Sequence, residues 1–325
     1  MATPVFQTIA EFRNDQIVTG FYLVKNKTIK TSPKNNKQYG DYQLADQSGE
    51  INAKLWEVED AAACPDVGSF LKIQGYVTEY QGKLQLRIDR MRPVTDADPV
   101  DMRTIVPSAP EDGKAMVEEL RSALDRIVNP EIKRLVTAYV EEIGQMLVYY
   151  PAALRNHHSI RAGLAYHTLS MLRVADGILK VYPFLNADLV IAGVIVHDLA
   201  KTDELDAEVT GIARQYTREG QLLGHITQGV VRIDRLAQKL GIDPEVAVMM
   251  EHMVLAHHYE PEYGSPKRPM FPEAEVLHYL DILDARMYDF RKVEEGLKPG
   301  EFSDAVFLLQ NRKLYKPTWD EGSDT

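Results

Sequence analysis

The sequence predicts a multidomain protein in which a small all-β barrel is followed by an all-α helical bundle. Three observations predict it. Short strand-like runs rich in β-branched and aromatic residues, separated by turn signals, extend from about Ile17 to Val94. A stretch with prolines at 93, 99, 107 and 110 then shows no period. From Glu111 onward apolar residues recur every three or four positions, as on a helix face.

Val18–Ile29, Tyr39–Ala45, Ile51–Trp56, Ser69–Thr78 and Lys83–Arg90 are short runs rich in β-branched and aromatic residues. Turn-forming clusters separate them: Ser32-Pro33-Lys34-Asn35-Asn36, Asp46-Gln47-Ser48-Gly49, Pro65-Asp66-Val67-Gly68 and Gln81-Gly82. Alternation is clearest in Lys83-Leu84-Gln85-Leu86-Arg87-Ile88. Five such strands suit a closed barrel, most often an OB-fold, with an SH3-like barrel or part of a sandwich as alternatives. The expected division is a barrel over 1–94, a linker over 95–110, a helical domain over 111–315 and a polar tail over 316–325. Helical spacing is read in Met116-Leu120-Leu124-Ile127, Leu135-Tyr139-Ile143-Met146 and Val230-Ile233-Leu236-Leu240. Asp243-Pro244 reads as an N-cap with proline in the first turn, and Gly241 as a C-terminal stop.

Composition narrows the classes. The single cysteine, Cys64, excludes an internal disulfide and a thiolate metal cluster, in keeping with a reducing, cytoplasmic setting. The N-terminus lacks the pattern of a signal peptide, and no apolar stretch approaches the ~18 residues of a membrane span. A net charge of −11 argues against nucleic acid at first sight. Local basic patches and bound cations, not the total, set the field that a phosphate meets.

The chemistry is carried by His197-Asp198, at the end of the apolar run Leu189-Val-Ile-Ala-Gly-Val-Ile-Val196. A carboxylate taken out of water without a partner costs several kcal/mol. A divalent cation is an economical partner, because carboxylate and neutral imidazole both ligate it. His167 precedes the pair, and His225, His257-His258 and Asp281 follow it on further helical segments. Facing helices of a bundle build metal centres in this way.

His167…His197-Asp198…Asp281, continued by Leu199-Ala-Lys201, resembles the signature of HD-domain metal-dependent phosphohydrolases. The whole chain is more narrowly similar to the YhaM family of 3′→5′ exoribonucleases, an OB-fold joined to an HD domain. The matching segments include Gly163-Leu164…His167-Thr168, Gly224-His225-Ile226, Ser265-Pro266 and Leu277-His278…Asp281-Ile-Leu-Asp284-Ala-Arg286-Met287. Three positions depart from the family pattern: Ala162 and Tyr259 stand where glycine is expected, and Tyr263 where tryptophan is usual.

The resemblance implies that His167, His197, Asp198 and Asp281 hold one cation, and His225, His257 and His258 a second, with Asp198 bridging. Asp284 is the rival of Asp281, and the motif match favours Asp281. A histidine-rich set favours manganese, iron, cobalt or zinc over magnesium, manganese being the first expectation. Two such cations lower the pKa of a water and clamp the oxygens of an in-line displacement at phosphorus. Asp198 and Lys201 are the expected catalytic residues, with Lys201 at a phosphate oxygen. Lys267, Arg268 and His158 are expected at the substrate, while His252 and His278 read as structural.

The barrel supplies a candidate nucleic-acid surface. Lys25, Lys27, Lys30, Lys34 and Lys37 fall in a window without an acid, beside Tyr39 and near Tyr22, Tyr42, Trp56 and Tyr76. OB-folds hold single strands by basic residues and aromatic stacking. The expected partner is single-stranded RNA, with single-stranded DNA as a further candidate. Two rival functions remain open at this point. One is a phosphodiesterase or phosphatase for small nucleotides; the other is a nucleic-acid-binding protein with a vestigial metal site.

Overall fold

The computed structural model describes residues 6–319 apart from 33–35, 57, 59, 62–63, 96–97, 99, 101–104, 155–157 and 209. It divides into two compact units, 1–108 and 109–325. No described helix is long and apolar enough to cross a membrane.

In the first unit, β1 (Gln16–Thr31), β2 (Gln38–Asp46), β3 (Gly49–Leu55), β4 (Phe70–Tyr80) and β5 (Lys83–Pro93) close into a barrel. The order is β1-β2-β3-β5-β4, and β4 returns to pair with β1. All pairings are antiparallel except β3 with β5. This is the OB-fold expected from the sequence. The period of two sends Val18, Tyr22, Leu44, Ile51, Leu71, Ile73, Val77 and Leu86 inward. Burying one such aliphatic side chain is worth about 1.5–3 kcal/mol, which makes the alternation decisive for register.

Closure needs β1 to serve two neighbours, β4 along its first half and β2 along its second. A register shift between Val24 and Asn26 provides the bend. Another shift lies between Gln74 and Gly75 on β4. A Cβ at Gly75 would lie 2.3 Å from the carbonyl oxygen of Arg87, so only glycine permits this approach of β4 to β5.

The second unit is a helical bundle of α1 (Gly113–Asp125), α2 (Pro130–Ile143), α3 (Gly163–Val181), α4 (Ala187–Val196), α5 (Lys201–Glu204), α6 (Arg218–Leu240), α7 (Pro244–Ala256) and α8 (Pro272–Glu294). Side-chain N-caps start several helices: Asp112 for α1, Asn129 for α2, Asn186 for α4 and Asp243 for α7. Proline follows the cap in α2 and α7, and Gly241 closes α6 in the left-handed region; Asp243-Pro244 and Gly241 are placed as the sequence indicated. Leu189–Val196 is apolar on every face, and all eight residues are buried. α4 is therefore the central helix of the bundle.

A hairpin of β6 (Leu205–Ala207) and β7 (Ala213–Tyr216) interrupts the helices, which the sequence reading did not anticipate. Its strands are too short and polar to show a period. They are held by local anchors, among them Tyr150 Oη, which donates to the carbonyls of Thr202 (3.1 Å) and Leu205 (2.5 Å).

Candidate metal centre

Five helical segments deliver the seven side chains singled out above to one buried cluster. α4 ends at Val196, so His197 takes its C-cap position and Asp198 follows; both are buried. α7 ends at Ala256 and presents His257 in the same way, with His258 next to it. Two helix C-termini thus point their partial negative charge at the cluster, which favours a cation there. His167 lies one turn into α3, and Asp281 sits mid-way along α8.

His225 needs a special device. It lies seven residues past the start of α6, directly after a kink at Gly224. Gly224 has φ 68° and ψ 161°, a conformation open essentially to glycine alone. The kink frees the His225 backbone N–H, which donates to Glu204 Oε1 at 3.0 Å. His225 Nδ1–H donates to the same oxygen, also at 3.0 Å.

The same logic locks every histidine of the cluster through Nδ1. His167 donates to Asp284 Oδ2 (2.7 Å), His197 to the Val194 carbonyl (2.9 Å), His257 to the Val254 carbonyl (2.7 Å) and His258 to the Tyr263 carbonyl (2.6 Å). A hydrogen on Nδ1 leaves the lone pair on Nε2. Those Nε2 atoms converge on two carboxylates. Asp198 Oδ2 lies 3.4 Å from His197 Nε2 and 3.7 Å from His167 Nε2, while Oδ1 lies 3.3 Å from His225 Nε2 and 3.7 Å from His257 Nε2. Asp281 reaches His167 through Oδ1 at 3.3 Å and His258 through Oδ2 at 3.9 Å.

The residues therefore form two groups that share Asp198. Ligand atoms of Asp198, His225, His257 and His258 lie within 4.8 Å of one another, as do those of His167, His197 and Asp198. Asp198 Oδ1, His225 Nε2 and His257 Nε2 are buried without a hydrogen-bond partner among the described residues. An orphaned buried polar atom costs about 1–3 kcal/mol, and a divalent cation is the partner these donors suit. Burial pushes the pKa of His257 and His258 down, which keeps both neutral and able to ligate. Burial also opposes charge on His167, but Asp281 and Asp284 outweigh it and hold that pKa at about 10, so a cation at Nε2 would have to displace the proton there. Burial alone would raise Asp198; the charges of Lys201 and His197 instead hold it well below the usual carboxylate range.

The remaining candidates fall in varied places. Lys201, expected at a phosphate oxygen, is buried, and its Nζ donates to Asp198 Oδ2 at 2.6 Å. His158, expected at the substrate, is buried and donates through Nε2 to Asp284 at 2.8 Å, behind His167. Lys267 is exposed. Arg268 pairs with Glu260 at 3.0 Å and lies 5.0 Å from the centre of the Tyr259 ring. His278 donates to the His257 carbonyl, and His252 accepts from the Met270 N–H, both structural contacts as expected.

In the barrel, the window free of acids in sequence is not free of them in space. Lys25 faces Glu50 at 3.8 Å, Lys27 pairs with Asp66 at 2.9 Å, and Lys30 pairs with Asp41 at 2.5 Å. Lys37 lies in the loop before β2, and Lys34 is outside the described residues. Tyr39 stacks on Trp56 with ring centres 4.9 Å apart, and Lys54 Nζ sits 5.5 Å from the Tyr39 ring centre.

Sequence reading missed Glu204 and took Asp284 only as a rival ligand. Glu204 lies three residues past Lys201, but nothing in that spacing separates it from Asp203, which pairs with Arg232 instead.

A family model described as an OB-fold nucleic acid binding domain matches residues 23–94, and one described as an HD domain matches 164–286. The chain is 41% identical over 299 residues to the 3′-5′ exoribonuclease YhaM of Geobacillus sp. (strain WCH70), covering 91% of both chains. It is 40% identical over 301 residues to the 3′-5′ exoribonuclease YhaM of Bacillus subtilis (strain 168), covering 92% of this chain and 94% of that relative.

Proposed function

The chain belongs to the YhaM family of 3′-5′ exoribonucleases, and from that premise we propose that it shortens single-stranded RNA from the 3′ end. It hydrolyses the terminal phosphodiester at the His/Asp cluster and releases nucleoside monophosphates. The observation that carries this reading is the set of five histidines, each locked through Nδ1, four of whose Nε2 atoms surround the two oxygens of Asp198 while the fifth faces Asp281. Two divalent cations held there, manganese first among the candidates for so nitrogen-rich a set, would supply an activated water and charge neutralisation at phosphorus.

The protein's own groups prepare that chemistry. His167, His197, Asp198 and Asp281 would hold one ion; Asp198, His225, His257 and His258 would hold the other. Asp284 and Glu204 fix the rings of His167 and His225, so the donor set is arranged before any ion arrives. Lys201 holds the Asp198 carboxylate in orientation and balances its charge. Its role is one of positioning. Exposed Lys267 is left as a cation for the phosphate backbone of the substrate. The barrel, with the Tyr39–Trp56 stack and its bordering lysines, captures the strand.

The test uses 3′- and 5′-end-labelled single-stranded RNA with Mn²⁺ or with a chelator, and a His197→Ala/Asp198→Ala protein alongside. A metal-dependent ladder shortening from the 3′ end, absent in the variant, is expected. RNA left intact under every divalent metal would overturn the reading and point to small nucleotide esters for the same cluster.

A further inference from the structure

Beyond α8 the chain folds back as a strap over residues 297–319. Isolated bridges Phe302–Tyr315 and Val306–Arg312 hold it together. Buried Leu309 and Leu314, and Ser303 Oγ accepting from the Leu314 N–H at 2.9 Å, anchor it. It is tied to the end of α8, where Lys316 Nζ donates to the Glu294 carbonyl at 3.1 Å and the Arg312 guanidinium lies 5.4 Å from the Phe290 ring centre.

The outer face of this strap is unusual for so acidic a chain. Phe302, Phe307 and Trp319 are 67%, 81% and 81% exposed, and Tyr315 stacks against Phe302 at 4.9 Å. Lys298, Arg312, Lys313 and Lys316 stand against Glu301 and Asp304 within the strap, and Asp320, Glu321 and Asp324 follow it in sequence. Among the described residues none of these four cations makes an ion pair with an acid. In the barrel, by contrast, Lys25, Lys27 and Lys30 all face one. Exposed aromatic rings interleaved with cations that no acid pairs among the described residues are the chemistry of a single-stranded nucleic-acid track, where bases stack and phosphates meet charge.

We propose that the strap is a second contact for single-stranded RNA, on the same unit as the metal cluster and separate from the barrel. The proposal rests on the exonuclease reading and deepens it. Phe290 lies nine residues past Asp281 on α8, about 14 Å along the helix at 1.5 Å per residue. A strand with its 3′ end at Asp281 therefore has the strap within a few nucleotides' reach.

The test compares the full chain with a Phe307→Ala/Lys313→Ala/Trp319→Ala variant, whose three side chains are exposed and, among the described residues, make no hydrogen bond, ion pair or ring contact with the cluster. For long single-stranded RNA, KM is expected to rise about tenfold or more with kcat unchanged. The salt dependence of KM should become shallower by about one unit of log–log slope. Hydrolysis of bis(p-nitrophenyl) phosphate, which offers no base to stack, should not change. RNA carrying 4-thiouridine should photo-cross-link to the 302–319 peptide of the parent protein. An unchanged KM for RNA with no cross-link in that peptide would overturn the proposal. So would a parent dimer that the variant converts to monomer with KM for RNA unaltered, since the face would then serve self-association. A parent protein that cross-links at the strap yet never shortens RNA would sink the exonuclease reading and leave the strap assignment standing.

Discussion

Glu204 shows what a single side chain outside the ligand set can do. One of its oxygens accepts from both the backbone N–H and Nδ1 of His225, at 3.0 Å each. Glu204→Ala is expected to cost 10–100-fold in metal affinity, read by calorimetric titration with Mn²⁺, and excess Mn²⁺ should restore part of the activity. Glu204→Gln keeps an accepting oxygen and should fall between Ala and the parent. An affinity unchanged in the Ala variant would show that His225 needs no such lock. Asp41 offers a residue-scale prediction in the barrel. Burial opposes its ionisation, but hydrogen bonds from Lys30, Lys54 and Asn52 outweigh that and hold its pKa at about 2. A carboxylate depressed in the folded state stabilises above its unfolded value near 3.8 and loses that contribution as pH falls toward 2. The barrel should therefore lose stability between about pH 4 and pH 2 through this group, by less than the full shift implies because its lysine partner Lys30 is solvent-screened. Asp41→Asn should flatten that part of an acid denaturation curve.

At the scale of elements, backbone conformation shows why glycine is expected at two positions where this chain departs from the family pattern. Ala162, at the N-cap of α3, has φ 58°, and Tyr259, just after the histidine pair, has φ 69°. Both occupy the left-handed region that glycine fills without strain. Ala162→Gly should raise stability by about 1 kcal/mol, measured as a higher denaturant midpoint at unchanged slope. Tyr259 offsets its strain through its ring, which packs on His278 at 4.7 Å and beneath Arg268. Gly224→Ala runs the other way. A Cβ there would meet nothing nearer than Glu204 Oε1 at 3.8 Å, so its cost is conformational, about 1–3 kcal/mol. Straightening the kink withdraws His225 from Asp198, and activity should fall at least tenfold, a loss that a stability measurement alone would not foresee. The kink itself was not readable from sequence, because a glycine within a helical period is as often merely tolerated. The barrel strands and the long amphipathic helices were readable, because each buries one face and so keeps one period, whereas the short β6–β7 hairpin was not. Locks such as Asp284 on His167 join residues 117 apart and leave no periodic trace.

For the whole molecule, the division into two units predicts two separable responses to chelation. Every candidate ligand lies in the unit 109–325, and a bound ion stabilises only the fold that binds it. EDTA should lower the melting temperature of the transition that belongs to the helical unit and leave the barrel's transition in place. A single transition that shifts as one would show the units to be energetically fused. Ordering along the chain carries a further consequence. Every strand pairing of the barrel falls within Gln16–Pro93, and no register partner comes from later residues. The first histidine of the metal cluster is His167. During synthesis, which proceeds from the N-terminus with domains folding as units, the barrel can close while the cluster has yet to leave the ribosome. The nascent chain thus completes its nucleic-acid-binding fold before the last residues of the His/Asp cluster are made.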